Sequence, residues 1–214
     1  DYAEGSAWQT SWSVLHDFAG LIKLHGSKEN FENKLIELCN QRPNFNVEGY
    51  GYEIHEMSEM AAIEFGQVAI SNQPSFHYPY LFSYIGKPWM ATPLIKNLLT
   101  ETFNDSPKGY PGDEDNGTMA AWYIFSSLGF YPVTAASGQY VLGIPLWDKA
   151  TIKLSSGQSL TVLATPNAPQ QMFVNAITYN DEPVSTTFIK HQQLLSGGTL
   201  SFELGIVPHP HRYT

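Results

Sequence analysis

The 214-residue sequence predicts an α+β fold in which helices come first and strands follow. Up to Pro132, apolar residues recur three or four positions apart, as they do on one face of a helix. After Pro132, short alternating segments are separated by turn residues, which is typical of a small antiparallel β-sandwich. We therefore expect a helical part over residues 1–132 and a C-terminal β-sandwich over residues 133–214.

The helical part is expected to contain about six helices that stack as helical hairpins. Ser27 can cap the second helix, because a serine hydroxyl accepts hydrogen bonds from the free N–H groups of a first turn. Pro88 and Pro93 fall in the first turns of the fifth helix, where a missing N–H costs little, and Gly129 can end the sixth. The predicted helices run through Trp8 to Ile22, Phe31 to Cys39, Met57 to Phe65, Tyr78 to Ile85, Pro88 to Phe103 and Gly117 to Leu128.

The strands are predicted from short β-branched and apolar segments between turn residues. Thr151–Leu154 and Ser159–Ala164 flank a Ser-Ser-Gly-Gln turn and are expected to form a hairpin. Met172–Ala176 and Thr199–Leu204 are two further candidates.

Composition excludes several classes of function. The net charge is −9 and no basic run occurs, which argues against nucleic acid as a partner. The apolar stretches fall short of the roughly 20 residues of a membrane span. Cys39 is the only cysteine, so no intrachain disulfide can form. A chain that begins with Asp1, without an initiator Met or signal peptide, suggests a processed product or an excised fragment.

The most informative segment is an acidic loop over residues 111–117, which precedes the sixth helix. Gly112 and Gly117 bracket Asp113 and Asp115 and allow the backbone to turn both carboxylates toward one point. Such a pair suits acid/base chemistry or metal binding. The alternative is a solvated turn whose acids cap the next helix, and the spacing alone leaves both interpretations open.

Three other segments combine acids, imidazoles, amides and aromatic residues. Glu4 precedes the first helix, where an acid can equally serve as a cap. His55 and Glu56 begin the third helix, and either a functional pair or a helix-start pair with satisfied hydrogen bonds fits them. The segment 72–80 offers amide oxygens for a hard cation, or it is a turn before a core helix. The second His of a zinc-protease helix and the spacing of an EF-hand are both missing.

Together, the four segments resemble glycoside hydrolase family 92, the calcium-dependent exo-α-mannosidases. The family motif Glu-Gly-Asn-Ala-Trp-Gln-Tyr corresponds to residues 4–10, and Asn-Glu-Pro-Ser-His-His-x-Pro-Tyr-Leu corresponds to residues 72–81. The motif Gly-x-x-Asp-x-Gly-Gln-x-x-Ala-Trp-Tyr corresponds to residues 112–123, and Phe-Tyr-Pro-Val to residues 130–133. The order and spacing fit the C-terminal part of the family, which implies a partial (α/α) toroid followed by the β-sandwich.

The resemblance implies roles for particular residues in hydrolysis of terminal α-mannosidic bonds of mannose-containing glycans. Glu4 aligns with the general acid, and Asp113 and Asp115 with the acids that activate water, Asp115 being the first choice as base. His55 and Glu56 resemble the pair that contacts the leaving sugar in α-1,2-specific members. The family inverts stereochemistry, which requires one protonated acid and one ionised base.

The resemblance also implies a Ca²⁺ cofactor, with Asn72, Gln73 and Asp113 in its surroundings. Gln73 stands where the family has a carboxylate, and this lowers the expected affinity for a hard dication. Phe76 replaces an imidazole, while Ser6 replaces an amide and so does Thr118.

The family's N-terminal β-sandwich and earlier helices have no counterpart in the sequence. We therefore expect this chain alone to be inactive and to self-associate through the face that they would cover. The alternative function is a carbohydrate-binding or structural fragment without turnover. The family implies a secreted, periplasmic or cell-surface location.

Overall fold

The structure of the chain, a computed structural model, describes residues 2–47 and 49–210. Asp1, on which the expectation of a processed start rests, lies outside these residues. In the described part, the α+β class predicted from the sequence is confirmed, with eight α-helices and two β-sheets. None of the helices found there has the length and apolar character needed to cross a membrane.

The helices are α1 (Ala7–Thr10), α2 (Phe18–Leu24), α3 (Lys28–Asn40), α4 (His55–Ile63), α5 (Leu81–Tyr84), α6 (Pro88–Glu101), α7 (Thr118–Ser127) and α8 (His191–Leu195). The strands are β1 (Phe130–Tyr131), β2 (Gln139–Leu142), β3 (Lys149–Lys153), β4 (Ser159–Thr165), β5 (Phe173–Tyr179), β6 (Glu182–Pro183), β7 (Phe188–Lys190) and β8 (Gly198–Gly205). Two short 3₁₀ helices, Gln73–Ser75 and Tyr78–Tyr80, precede α5.

The chain forms two compact units. The first contains residues 1–79 and 100–120, and the second contains residues 80–99 and 121–214. The predicted boundary at residue 132 lies close to the point where helices give way to strands, whereas the compact units combine α5 and α6 with the strands. The division into domains at residue 132 stays a prediction.

The first unit is organised around α3. The side-chain oxygen of Ser27 accepts a hydrogen bond from the backbone N–H of Asn30 and caps this helix, as predicted. Phe31 and Leu35 of α3 are completely buried. The ring of Trp12 packs edge-on against Phe31, with 5.2 Å between the ring centroids. Burial of these large rings supplies the hydrophobic stabilisation of the unit.

Three helix predictions in this half of the chain were wrong in their bounds. The first predicted helix is two helices, because the side chain of Asp17 accepts a hydrogen bond from the N–H of Gly20 and starts α2 anew. α4 ends before Phe65, since Glu64 has the left-handed φ of 57° that ends helices. The predicted helix from Tyr78 to Ile85 is a 3₁₀ turn followed by the short α5.

The second unit contains both sheets. One sheet has the strand order β1-β2-β7, and the other has the order β3-β4-β8-β5-β6. The predicted hairpin is confirmed as the antiparallel pair of β3 and β4, with Ile152 opposite Leu160. Most pairs are antiparallel as expected, but β4 and β8 pair in parallel, which corrects the purely antiparallel prediction. Alternate residues of β4 are buried, as they are in a strand with one face on the core.

Candidate active site

Four segments of the first unit, far apart in the sequence, line one cavity of about 170 Å³. They are the segment before α1, the first turns of α4, the segment around the first 3₁₀ helix, and the acidic loop before α7. The lining residues are Glu4, His55, Glu56, Glu59, Ser71, Asn72, Gln73, Asp113 and Asp115. The structure thus brings together every site residue predicted from the sequence, and it adds Glu59 and Ser71.

The carboxylates of the acidic loop have two different surroundings: one binds the backbone at the start of α7, and two line the cavity. Glu114 turns back on the loop, where one carboxylate oxygen accepts the N–H of Gly117 at 2.6 Å and the other accepts the N–H of Ala120 at 3.0 Å. These bonds satisfy free donors at the start of α7. Asp113 and Asp115 line the cavity instead. A loop acid thus caps the next helix, as the alternative interpretation predicted, whereas acid/base chemistry or metal binding by Asp113 and Asp115 stays a prediction.

The backbone is left-handed at two of the candidate acids. Glu4 has a φ of 56° and Asp115 a φ of 51°, and Asn116 continues the left-handed turn with a φ of 58°. Such angles are uncommon outside glycine and cost of order 1–3 kcal/mol when the surrounding structure imposes them. Strain of this kind is concentrated at functional sites, which supports a functional role for both acids.

Close packing holds the acidic loop against the segment that contains Asn72. A Cβ atom on Gly112 would lie only 2.1 Å from the backbone oxygen of Ser71 and 2.9 Å from an oxygen of Glu59. Only glycine permits this approach. The side-chain nitrogen of Gln73 also donates a hydrogen bond to the backbone oxygen of Asp113 at 2.9 Å. The position of Asp113 is therefore fixed from the neighbouring segment.

The imidazole of His55 lies among three carboxylates. Its Nδ1 is 3.2 Å from Oε1 of Glu59, and its Nε2 is 3.4 Å from Oε1 of Glu56 and 4.0 Å from Oδ2 of Asp113. Burial acts to lower the pKa of His55, but the three carboxylates outweigh burial and raise the pKa above its ordinary value. The protonated ring can donate both of its N–H groups within this cluster.

Glu59 was not predicted as a site residue, although it lies four residues after His55 on the same face of α4. Burial raises the pKa of Glu59, and the neighbouring His55 only partly opposes that effect. Its Oε2 and the hydroxyl oxygen of Ser71 are buried and have no hydrogen-bond partner in the described part of the chain. Buried polar atoms are usually paired, so these two atoms of the cavity lining are available to a water molecule or a polar ligand. No sequence signal beyond its neighbour Asn72 indicates Ser71.

The amides predicted as calcium ligands present their nitrogen atoms to the site. The side-chain nitrogen of Asn72 lies 3.3 Å from the backbone oxygen of Glu4 and 3.4 Å from its Oε2, and Gln73 donates to Asp113 as described above. Calcium takes six to eight oxygen ligands. Within residues 2–47 and 49–210, no group of three or more His, Cys, Asp and Glu side chains is arranged to hold a metal ion. A calcium site at Asn72, Gln73 and Asp113 stays a prediction from the family resemblance.

The cavity is rich in carboxylates and has one imidazole as its counter-charge. Such a surface repels anionic substrates and accepts hydrogen bonds from a neutral, hydroxyl-rich one. Acids on separate segments that face one cavity can donate a proton to a leaving oxygen and take a proton from water. This arrangement is typical of enzymes that hydrolyse glycosidic bonds.

Comparison with known proteins shows the family. The family model described as the glycosyl hydrolase family 92 catalytic domain matches residues 1–206. The chain belongs to this family of glycosidases.

Two solved structures from Bacteroides thetaiotaomicron are similar to this chain. The inverting mannosidase BT2199 is 39% identical with a TM-score of 0.84, and the match covers 100% of this chain and 29% of that one. The alpha-mannosidase BT3965, in complex with mannoimidazole, is 26% identical with a TM-score of 0.87, and the match covers 98% and 26%.

A curated relative from Arthroderma benhamiae is named as an uncharacterized secreted glycosidase. It is 25% identical over 205 residues, which are 94% of this chain and 23% of the relative. The chain thus spans roughly a quarter of the length of the proteins that it resembles.

Proposed function

We propose that the protein that contains this chain is an exo-acting mannosidase, which hydrolyses terminal α-mannosidic bonds with inversion of the anomeric carbon. The observation that carries the proposal is that Glu4 and Asp115 line one cavity, although they belong to distant segments. The names of the two similar Bacteroides enzymes, an alpha-mannosidase and an inverting mannosidase, support the substrate and the stereochemistry.

In this proposal Glu4 donates a proton to the glycosidic oxygen as the bond to the anomeric carbon breaks. Asp115 accepts a proton from a water molecule, whose oxygen forms the new bond on the opposite face of the sugar. An inverting enzyme needs both events in one step and leaves room for the water between its two carboxyl groups. Asp113 also lines the cavity and is the second candidate for the base.

His55 and Glu56 are proposed to contact the leaving sugar, with α-1,2-linked mannose as the preferred substrate. Glu4 and Glu56 line not only the small cavity but also a second one of about 770 Å³. Trp8 and Tyr50 contribute aromatic surface to this larger space, and such rings commonly pack against the apolar faces of ligands. The second cavity therefore has room for the part of a glycan that leaves.

Calcium remains part of the proposal as a prediction from the family resemblance. Asn72, Gln73 and Asp113 would hold part of its shell, and the remaining oxygen ligands would come from water or from other parts of the complete polypeptide. A bound dication would supply positive charge beside the carboxylates and hold hydroxyl groups of the sugar.

Residues 1–214 alone are proposed to lack turnover and to self-associate, because they correspond to roughly a quarter of the similar enzymes. Catalysis requires that a substrate be held from several sides, and a misplacement of about 1 Å can cost on the order of a hundredfold in rate. The name of the Arthroderma benhamiae relative, a secreted glycosidase, supports secretion.

The test uses the complete polypeptide that contains residues 1–214, incubated with α-1,2-mannobiose. Proton NMR in the first minutes should show β-mannose as the first product from the terminal sugar. Initial release of α-mannose would contradict inversion. Binding of mannobiose in titration calorimetry, without hydrolysis, would instead support a carbohydrate-binding protein without turnover. Gel filtration and the same assay on residues 1–214 alone test the proposals for the isolated chain.

A further inference from the structure

Glu4 is held from two sides by residues of distant segments. Its backbone N–H donates a hydrogen bond to the hydroxyl oxygen of Tyr50, with 2.7 Å between the atoms. On the other side, the side-chain nitrogen of Asn72 lies 3.3 Å from the backbone oxygen of Glu4. The N–H and the C=O of one residue are therefore both fixed, although Tyr50 and Asn72 lie 46 and 68 residues away along the chain.

The backbone of Glu4 is left-handed, and these two contacts help to keep it in that conformation. With a φ of 56°, Glu4 occupies a conformation that a residue with a side chain seldom adopts unless its surroundings impose it. The segment before α1 is exposed. The direction in which the carboxyl group leaves the backbone depends on this φ, so loss of a contact changes where the carboxyl group points.

We propose that Tyr50 is a positioning residue, which fixes the backbone of Glu4 so that its carboxyl group points at the bond to be broken. This inference rests on the proposed role of Glu4 as general acid. The hydroxyl group of Tyr50 bonds to the backbone N–H of Glu4, so it acts on the position of the acid.

Tyr50 makes further contacts that hold it in place. Its backbone N–H donates a hydrogen bond to the backbone oxygen of Val47 at 2.9 Å. Its ring packs edge-on against Tyr52, with 6.2 Å between the centroids. Tyr50 also lines the larger cavity beside Glu4. A water molecule could replace the lost hydroxyl as an acceptor, but it would not tie Glu4 to Tyr50.

The experiment compares two substrates in the complete polypeptide that contains this chain. A mannobiose has a poor leaving group and needs protonation by Glu4, whereas a dinitrophenyl α-mannoside has a leaving group that departs without it. The variant Tyr50→Phe should lower kcat on mannobiose by about ten- to a hundredfold. On the dinitrophenyl substrate its kcat should stay within about twofold of the wild-type value, and KM should change little on both.

Two further variants make the result decisive. Tyr52→Phe removes a hydroxyl from the neighbouring exposed ring and should leave both activities unchanged. Glu4→Gln should show the same dependence on the leaving group as Tyr50→Phe, but more strongly.

If Glu4→Gln loses no activity on mannobiose, the proposed role of Glu4 fails. If Glu4→Gln shows the dependence and Tyr50→Phe does not, only the role of Tyr50 is overturned. An equal loss of kcat on both substrates in Tyr50→Phe would also overturn the role of Tyr50, since it would indicate a general structural effect.

Discussion

The side-chain nitrogen of Gln73 donates a hydrogen bond to the backbone oxygen of Asp113, with 2.9 Å between the two atoms. This bond joins segments 40 residues apart. It acts together with the close contact of Gly112 on the backbone of Ser71, so the acidic loop is attached at two adjacent residues. The placement of Asp113 therefore depends on a neutral amide at position 73.

The variant Gln73→Glu should replace this attractive hydrogen bond with a repulsive contact. A carboxylate facing the backbone oxygen of Asp113 loses the hydrogen bond and introduces repulsion, which a bound cation would relieve. Without calcium, we expect the free energy of unfolding to fall by about 1–2 kcal/mol. Titration calorimetry should show tighter calcium binding by Gln73→Glu than by the wild type.

The matched control for this comparison is Gln158→Glu, which makes the same chemical change in the exposed loop between β3 and β4. It should alter neither the unfolding free energy nor calcium binding. Equal calcium affinities for Gln73→Glu and the wild type would show that position 73 lies outside any metal shell.

Glu114 is expected to stabilise the start of α7, because its carboxylate accepts the N–H groups of Gly117 and Ala120. The variant Glu114→Ala should lower the free energy of unfolding by about 1–2 kcal/mol, which is typical for loss of a helix cap. Urea denaturation measures this change, with Glu182→Ala on the exposed strand β6 as the control. A loss equal to that of the control would show that the carboxylate contributes nothing to the cap.

The elements predicted correctly are those in which one local signal decides the structure. α3 has an N-cap serine and a clear apolar stripe, and the hairpin of β3 and β4 has alternating residues on both sides of a glycine turn. The break between α1 and α2 was not predicted, because the apolar spacing continues through it while Asp17 starts a new helix. The parallel pairing of β4 and β8 depends on contacts between distant segments, which local patterns do not encode.

In the candidate site, too, residues with a clear local sequence signal were predicted and residues without one were missed. The motifs indicated Glu4, His55 and the acidic loop because these residues stand out locally. Glu59 had a weak signal as the fourth residue after His55, and Ser71 had none of its own. Their relevance comes from burial without a partner, which only the three-dimensional structure reveals.

His77 is expected to make the protein sensitive to acid. It is 4% exposed, and its Nε2 lies 2.8 Å from the backbone oxygen of Trp12. Burial, only partly opposed by this hydrogen bond, lowers the pKa of His77 from 6.5 to about 4. The unfolded chain therefore binds more protons than the folded protein between these values, and stability falls as the pH drops through this window. Across the whole window, the free energy of unfolding should fall by roughly 3 kcal/mol.

The variant His77→Gln keeps a side-chain nitrogen that can donate to Trp12 and removes the titration. Urea denaturation at several pH values between about 7 and 4 should show a flatter dependence of the unfolding free energy on pH than in the wild type. His16→Gln, at an exposed position, serves as the control and should leave the dependence unchanged. An identical acid response in His77→Gln would mean that other groups cause it.

The two candidate bases can be separated by amide substitutions in the complete polypeptide that contains this chain. Asp115 has a φ of 51°, and asparagine is the residue besides glycine that tolerates this region best. Asp115→Asn should therefore preserve the loop and the thermal midpoint, while it removes the carboxylate that is proposed to accept a proton from water. We expect kcat on mannobiose to fall by about two to four orders of magnitude with substrate binding largely retained.

Asp113→Asn provides the matched comparison, because it makes the same chemical change two residues earlier in the loop. The side chain of Asp113 is 74% exposed and lies 4.0 Å from Nε2 of His55, so its loss should weaken the cluster around that ring and lower kcat less than Asp115→Asn. Steady-state kinetics of both variants, with calorimetric binding of mannobiose, decides between them. Full activity in Asp115→Asn together with a large loss in Asp113→Asn would transfer the role of base to Asp113, because only the residue that activates water loses turnover while binding persists.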